Sequence, residues 1–250
     1  MYGERVLLLI PHPDDELVGA AAAIGRLRRK GGEIFGAYLT SGVPSSAGSW
    51  FGDRLKYGRR AARRWEEASQ VARGLGLSVA GRQLIPSRKL KLHVASSVSW
   101  VRDQAVALRV DKIWVPSYEG GHQDHDVANF IGAQLARDFT VWEFAEYNFA
   151  GGEVRSQAFI EPNGSESTLT LGESEKARKR ELLAKYESEQ RNLGYVGVDR
   201  EVLRPLTPHD YTRPPHEGRM FYQRFQWVPF HPRIDYCRPD QVCKALQGVA

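Results

Sequence analysis

Only two of the 250 residues are cysteine, Cys237 and Cys243, six positions apart, with His231 as the other ligand type nearby. A disulfide framework or a cysteine-rich zinc fold needs more sulfur than that, so two free thiols are expected in preference to a staple or a structural zinc site. Long apolar runs are also missing. The longest, such as Val6–Ile10, fall far short of the roughly 20 residues that a membrane-spanning helix requires. The opening residues MYGER lead directly into VLLLI with no signal-peptide h-region or small-residue cleavage site, and a cytoplasmic protein is expected. Nor is charge one-sided: 35 basic against 30 acidic residues leave a net charge of +5. The bases form short helix-face clusters at Arg26–Lys30, Arg59–Arg64 and Lys176–Arg180, not one tract. That argues against a nucleic-acid binder and for a mild preference for anionic ligands.

What is present is a strand–helix alternation. Arg5–Ile10 is a continuous apolar run of the buried parallel-strand type, and Asp14–Lys30 reads as a helix with acids in its first turn, bases in its last and Gly31-Gly32 as its stop. Strands are expected at Glu33–Thr40, Arg82–Ile85, Lys112–Pro116 and Thr140–Ala145, and helices at Asp53–Leu75, Val94–Leu108 and Asp124–Arg137. This pattern predicts an α/β chain, a Rossmann-like, doubly wound and mainly parallel sheet. Past Ala150 the expectation is a hairpin over Glu153–Leu171, a helix over Glu173–Gln190, a Pro- and Arg-rich stretch over Arg204–Pro215 and a late strand within Arg219–Phe230. No composition shift divides the chain, so residues 1–250 are taken as one domain, with a core over 1–150 and a C-terminal elaboration over 151–250 that caps the cleft.

Two constellations carry chemistry. Pro11-His12-Pro13-Asp14-Asp15-Glu16 follows the first strand and opens a helix, where α/β sheets bind ligands. Helix capping explains one or two of its acids, but not His12 between two stiffening prolines. Gly120-Gly121-His122-Gln123-Asp124-His125-Asp126 occupies the equivalent place after the fourth strand. In a 3-2-1-4-5 strand order the two turns are neighbours at the point where the chain reverses direction, so their imidazoles and carboxylates converge on one cleft. Nitrogen and carboxylate donors without thiolate suit zinc, with ferrous iron or manganese as alternatives. Position alone leaves open which of Asp14 and Asp15 binds a metal and which takes a proton.

PHPDDE and GHQDH together resemble the motifs of the LmbE-like, or PIG-L, family of zinc-dependent N-deacetylases, which act on N-acetylglucosamine conjugates and related amides. Arg64-Trp65-Glu66-Glu67 is similar to the family's Arg-x-x-Glu helix, and Lys179–Gln190 (KRELLAKYESEQ) to its Lys…Tyr-x-Ser-Gln segment, with Glu189 inserted. The resemblance implies that His12, Asp15 and His125 bind the metal, that Asp14 is the general base, and that a cationic His122 stabilises the oxyanion or protonates the leaving amine. Asp124 and Asp126 either orient the histidines or cap a helix. Arg64 either holds an anionic or hydroxyl-rich group or lies on a solvent-facing helix surface, the simpler expectation. Trp50 and Phe51 in the loop Ser41–Gly52, and the segment Glu143–Phe149, are placed to line a sugar-sized pocket. The implied partner is a small-molecule or glycan-conjugate substrate, with nothing opposed to a homo-oligomer. The competing substrates are a thiol conjugate, a glycopeptide or a secondary metabolite. A nucleotide-binding Rossmann module is disfavoured because HPDDE occupies the turn where G-x-G-x-x-G would stand.

Overall fold

A computed structural model describes residues 1–45, 51–227 and 234–249, with the backbone alone for 51–55. The N-terminal part follows the expected alternation: β1 (Arg5–Ile10), α1 (Asp15–Arg29), β2 (Glu33–Tyr38), α2 (Phe51–Leu75), β3 (Ser78–Arg82), α3 (Val94–Ala107), β4 (Lys112–Pro116), α4 (Gln123–Leu135) and β5 (Thr140–Phe144). The C-terminal part adds β6 (Tyr147–Asn148), β7 (Arg155–Ser156), β8 (Ser167–Thr170), α5 (Glu173–Leu183), β9 (Arg200–Pro205) and α6 (Pro239–Gln247). One sheet runs β3-β2-β1-β4-β5-β9-β8, parallel through β5 and antiparallel thereafter. The doubly wound order and the adjacency of β1 and β4 are therefore as expected.

β1 explains why its run is uninterrupted. Leu7 and Leu9 face one core with Val101, Val127 and Ile131 of α3 and α4, while Val6, Leu8 and Ile10 face another with Ile24, Leu27 and Val71 of α1 and α2. A strand covered by helices on both sides has no solvent face on which to place a polar residue.

The elaboration departs from the expected layout. Glu153–Leu171 is not a hairpin: β7 pairs with β6, and β8 pairs with β9. β9 itself falls where a Pro- and Arg-rich stretch was expected to begin, and its pattern hides because two charged side chains, Glu201 and Arg204, are buried within it. Among the described residues of Arg219–Phe230 there is a short 3₁₀ turn at Phe221–Gln223 and no strand; residues 228–230 lie outside the description. The third strand lies at Ser78–Arg82, not Arg82–Ile85, and the helix expected to reach Gln190 ends at Leu183, freeing the next residues to turn toward the sheet's carboxyl edge. Both cysteines are buried free thiols, as expected. No helix among the described residues is long and apolar enough to cross a membrane.

Glu201 clamps this elaboration to the core. Its carboxylate accepts the backbone N–H groups of Ala22 and Ala23 in mid-α1 at 2.9–3.0 Å. The Lys179 ammonium bonds Glu201 at 2.8 Å and donates to the Val18 carbonyl at 2.9 Å. Both side chains are essentially inaccessible. Removing one partner of such a pair strands a buried charge, so Lys179→Met is expected to lower unfolding free energy by about 3–5 kcal/mol in urea titrations. A loss under ~1 kcal/mol would show that the pair does not hold the two parts together.

Candidate metal centre

The turn after β1 is strained and then clamped. Asp14 has φ 135° and ψ −24°, a conformation that costs a residue with a Cβ about 1–3 kcal/mol. Its N–H donates to Glu16 Oε2 at 3.1 Å, and its carbonyl accepts from Leu17 and Val18 at 2.9 and 3.1 Å. Glu16 is fully buried and receives the Tyr186 hydroxyl. From α2, Arg64 donates to the Pro13 carbonyl at 3.2 Å and lies 3.5 Å from the Asp14 carboxylate. Three elements thus hold the first motif in its shape.

The turn after β4 depends on glycine. Gly120 has φ +68°, and a Cβ on Gly121 would stand 2.4 Å from the Tyr147 carbonyl oxygen. His122 then caps α4, its Nδ1 accepting the N–H of Asp124 at 3.1 Å. Asp126 accepts the N–H of Gly120 at 3.0 Å and so fixes the turn without touching a histidine by hydrogen bond.

Across the β1–β4 boundary these turns bring three ligand-type atoms into a triangle. His12 Nδ1 lies 3.2 Å from His125 Nε2 and 3.3 Å from Asp15 Oδ2, and Asp15 Oδ2 lies 3.2 Å from His125 Nε2. Ligands at 2.0–2.1 Å from a tetrahedral zinc stand about 3.3–3.4 Å apart, so the triangle fits three vertices and leaves the fourth open. The far nitrogen of each imidazole meets an acid: His12 Nε2 is 3.0 Å from Asp124 Oδ2, and His125 Nδ1 is 2.9 Å from Glu146 Oε2, the latter a close ionic contact and not a well-aligned hydrogen bond. Asp124 is itself fixed by the N–H groups of Arg88 and Leu90 at 2.6 and 3.2 Å. Carboxylates in these places favour the proton on the outer nitrogen and leave the inner nitrogen bare for a cation. His12, His122 and His125 also bring one nitrogen each within 4.8 Å of the others, a looser set. Because the His122 Nδ1 lone pair is engaged by a backbone donor, the tighter triangle is the better cation site.

The electrostatics agree. Burial alone would push the His12 imidazole down, yet Asp15 and Asp124 carry it up to about 9; His125 is likewise raised against burial by Asp15 and Glu146. Without a cation, the two rings supply the positive charge that the surrounding carboxylates demand. Asp15 stays well below the usual carboxylate range despite burial because both imidazoles face it, while burial and the Asp15 charge push Asp14 well above that range. Burial and the neighbouring His12 hold His122 well below an ordinary histidine. Together with the Asp124 N–H on Nδ1, this favours a neutral ring with its proton on Nε2 over the cationic His122 that was expected.

The triangle lies at the floor of a cleft of about 210 Å³ that Asp14, His122, Tyr147, Tyr195, Phe221 and Arg224 help to line. His12, Asp14, Asp15 and His122 line it, and His125 and Asp124 are buried against the His12 ring. Arg64 corrects the simpler expectation: it is 3% exposed, faces the cleft, and is engaged by Ser188 at 2.9 Å and by Glu189. Of Glu143–Phe149, Tyr147 lines the cleft and Glu146 meets His125, whereas Phe144 is core. Trp50 and the Phe51 side chain lie outside the described residues. Sequence reasoning placed Glu146 only within a pocket-lining segment, not against His125, and missed Tyr195, Phe221 and Arg224. Glu146 had a signal, an acid just past a strand end; the others sit in turns whose position the strand pattern does not encode.

Comparison with known proteins gives this site relatives. Residues 7–136, which hold both motifs, match the family model described as PIG-L, GlcNAc-PI de-N-acetylase. The diacetylchitobiose deacetylase of Thermococcus kodakarensis (strain ATCC BAA-918 / JCM 12380 / KOD1) is 30% identical over 138 residues, 52% of this chain and 48% of that protein, so the chain spans about half the length of the curated relative it matches. Among solved structures, a deacetylase from the teicoplanin biosynthesis pathway superposes with TM-score 0.65 at 14% identity, covering 82% of this chain and 99% of that one. GalB, a 4-carboxy-2-hydroxymuconate hydratase from Pseudomonas putida KT2440, superposes with TM-score 0.55 at 17% identity, covering 83% and 98%. At such identities the superpositions establish the fold alone, one that carries a deacetylase and a hydratase alike. With both motifs inside the matched region, the chain belongs to the PIG-L, or GlcNAc-PI de-N-acetylase, family.

Proposed function

We propose that this chain is a divalent-cation-dependent N-deacetylase that removes the acetyl group from an amino sugar or an N-acetylglucosamine conjugate. The observation that carries the reading is the His12–Asp15–His125 triangle with Asp14 beside it and outside it. Two nitrogens and one carboxylate oxygen favour zinc, and admit ferrous iron or manganese. A cation there supplies Lewis acidity, lowering the pKa of water toward ~7 and polarising the amide carbonyl.

The chain's own residues do the rest. Asp14, a buried carboxylate whose proton affinity is raised, takes a proton from the attacking water. Neutral His122 donates its Nε2–H to the oxyanion that develops on the carbonyl oxygen, a preorganised donor that needs no proton of its own to lose. Asp14 then returns its proton to the amine nitrogen as the C–N bond breaks, so one carboxylate serves as base and acid. Arg64 steadies Asp14 through the Pro13 carbonyl and the 3.5 Å contact.

The cleft is smaller than the roughly 300–1,000 Å³ that encloses a whole drug-sized ligand, so it takes the acetamido end and about one ring, with the remainder outside. Tyr147, Tyr195 and Phe221 pack into an aromatic wall suited to a sugar face. The same chemistry on a thiol conjugate, glycopeptide or other secondary metabolite differs only in what lies beyond that ring. The test is acetate release from diacetylchitobiose and a panel of N-acetylglucosaminides by zinc-reconstituted protein. Acetate stoichiometric with free amine is expected; a folded, metal-loaded protein that releases none from any of them contradicts the reading.

A further inference from the structure

Two short motifs flank the site without entering the chemistry described above: Arg64-Trp65-Glu66-Glu67 on α2, and Tyr186-Glu187-Ser188-Glu189 beyond α5. Hydrogen bonds join them. The buried Glu67 carboxylate accepts the Ser188 backbone N–H at 3.1 Å on Oε1 and the Ser188 hydroxyl on Oε2, with Arg63 Nε donating to Oε1 at 3.2 Å. A hydroxyl that gives its proton to Glu67 keeps its lone pairs for another donor, and Arg64 Nε takes that place at 2.9 Å. The donors therefore run one way, from Arg64 through Ser188 to Glu67. The same guanidinium turns Nη2 to Glu189 and Nη1 to the Pro13 carbonyl at 3.2 Å, 3.5 Å from Asp14 Oδ2.

From this arrangement we propose that Glu67 and Ser188 are positioning residues for the reaction: they hold the Arg64 guanidinium at the angle that brings Nη1 to the Pro13–Asp14 peptide, and so set the direction of the Asp14 carboxylate. The inference rests on the deacetylase reading for the role of Asp14. Three acids surround Arg64, with Asp14 at 3.5 Å, Glu67 at 3.8 Å and Glu189 in contact, so charge alone does not choose among its rotamers. Ser188 does, by occupying Nε and leaving Nη1 for the turn. The peptide so reached is the one that needs holding, because Asp14 sits at φ 135°, and a strained turn keeps its shape only where its surroundings over-determine it. Both of its polar groups are gripped from the same segment. Its N–H donates to Glu16, which receives the Tyr186 hydroxyl, and its carbonyl accepts from Arg64, which Ser188 holds.

The experiment measures acetate release from diacetylchitobiose by zinc-loaded Glu67→Gln, which keeps the volume and removes the charge, and by Ser188→Ala, at an exposed position where the fold does not depend on the side chain. Each is expected to lower kcat about 10-fold, with KM within about twofold of wild type and metal content unchanged, because a misdirected base is felt in the transition state. Ser188→Thr, which keeps the hydroxyl, is expected to restore most of the rate. In an Arg64→Met background neither substitution should cost anything further, since both act through Arg64. A second readout needs no turnover. The Arg64 Nε–H resonance in nitrogen-15 NMR, assigned by its loss in Arg64→Met, is expected to be ordered and slowly exchanging in the wild type and in Ser188→Thr, and rapidly exchanging in Glu67→Gln and Ser188→Ala. Wild-type kcat in both variants, losses that multiply with that of Arg64→Met, or an unchanged Arg64 resonance overturns the proposal and leaves the deacetylase reading standing. If the wild-type protein hydrolyses no amide, the deacetylase reading fails and the resonance decides alone: faster exchange in both variants supports Glu67 and Ser188 as the holders of Arg64, and its persistence overturns them. Should Glu67→Gln fail to fold, the Ser188 pair carries the same test.

Discussion

Asp14→Asn is expected to lower kcat by roughly 100- to 10,000-fold while the protein keeps its full complement of metal. The expectation follows from where Asp14 stands. It lines the cleft, but the triangle is closed by its neighbour Asp15, whose Oδ2 is 3.2–3.3 Å from both imidazole nitrogens. Asparagine preserves side-chain volume, and the backbone bonds that hold the strained turn, from Asp14 N–H to Glu16 and from Leu17 and Val18 to the Asp14 carbonyl, do not involve the side chain. What disappears is a carboxylate whose proton affinity burial and Asp15 have raised, and with it both proton transfers assigned to this residue. KM should change little, since the group acts in the transition state and not in holding the ground state. Steady-state kinetics with metal analysis of the same sample checks both halves. A rate within a few-fold of wild type, or loss of metal, would mean that the roles of Asp14 and Asp15 are interchanged or shared.

His12→Ala is expected to abolish metal binding, and hydrolysis with it. The His12 ring supplies one vertex of the triangle and its outer nitrogen meets Asp124, while the backbone N–H that holds Asp15 Oδ2 at 2.7 Å survives the substitution. Alanine removes a ligand and leaves Asp124, fully buried, without its charged partner. Excess zinc should not restore the rate, because two remaining ligands do not make a structured site. Asp124→Asn provides the graded comparison: every ligand remains, the partner of His12 Nε2 loses its charge and one of the two acceptors that hold it to Arg88 and Leu90, and metal affinity should fall about 10- to 100-fold, recoverable at higher zinc. Equilibrium dialysis against zinc separates the two cases. If His12→Ala retained metal at wild-type affinity, the looser set that includes His122 would be favoured.

Much of this site was legible before any coordinates, and the reason is topological. A buried parallel strand writes itself as a solid apolar run, and β1 and β4 both end in turns dense with histidine and aspartate. The doubly wound order makes those two turns neighbours, which is why residues more than a hundred positions apart were expected at one cleft. What stayed hidden depends on side-chain direction and on buried charge. Arg64 belongs to a helix whose arginine clusters look like a solvated face, and its burial follows from Glu189 and Ser188, which reach it from beyond α5. β9 carries Glu201 and Arg204 inward, so its pattern is not that of a strand in an apolar core. His122 was expected to be charged; the backbone N–H of Asp124 on its Nδ1 argues otherwise, and a bond of that kind leaves no mark in composition or spacing.

The most direct test of the whole account is the identity of the metal's ligands, read from anomalous diffraction of zinc-loaded crystals. A single anomalous peak per chain is predicted, bonded to His12 Nδ1, Asp15 Oδ2 and His125 Nε2 at about 2.0–2.2 Å, with Asp14 and His122 outside bonding distance. A peak bonded to His122 or Asp14 in place of Asp15, or no peak in protein that nonetheless hydrolyses amides, would contradict it.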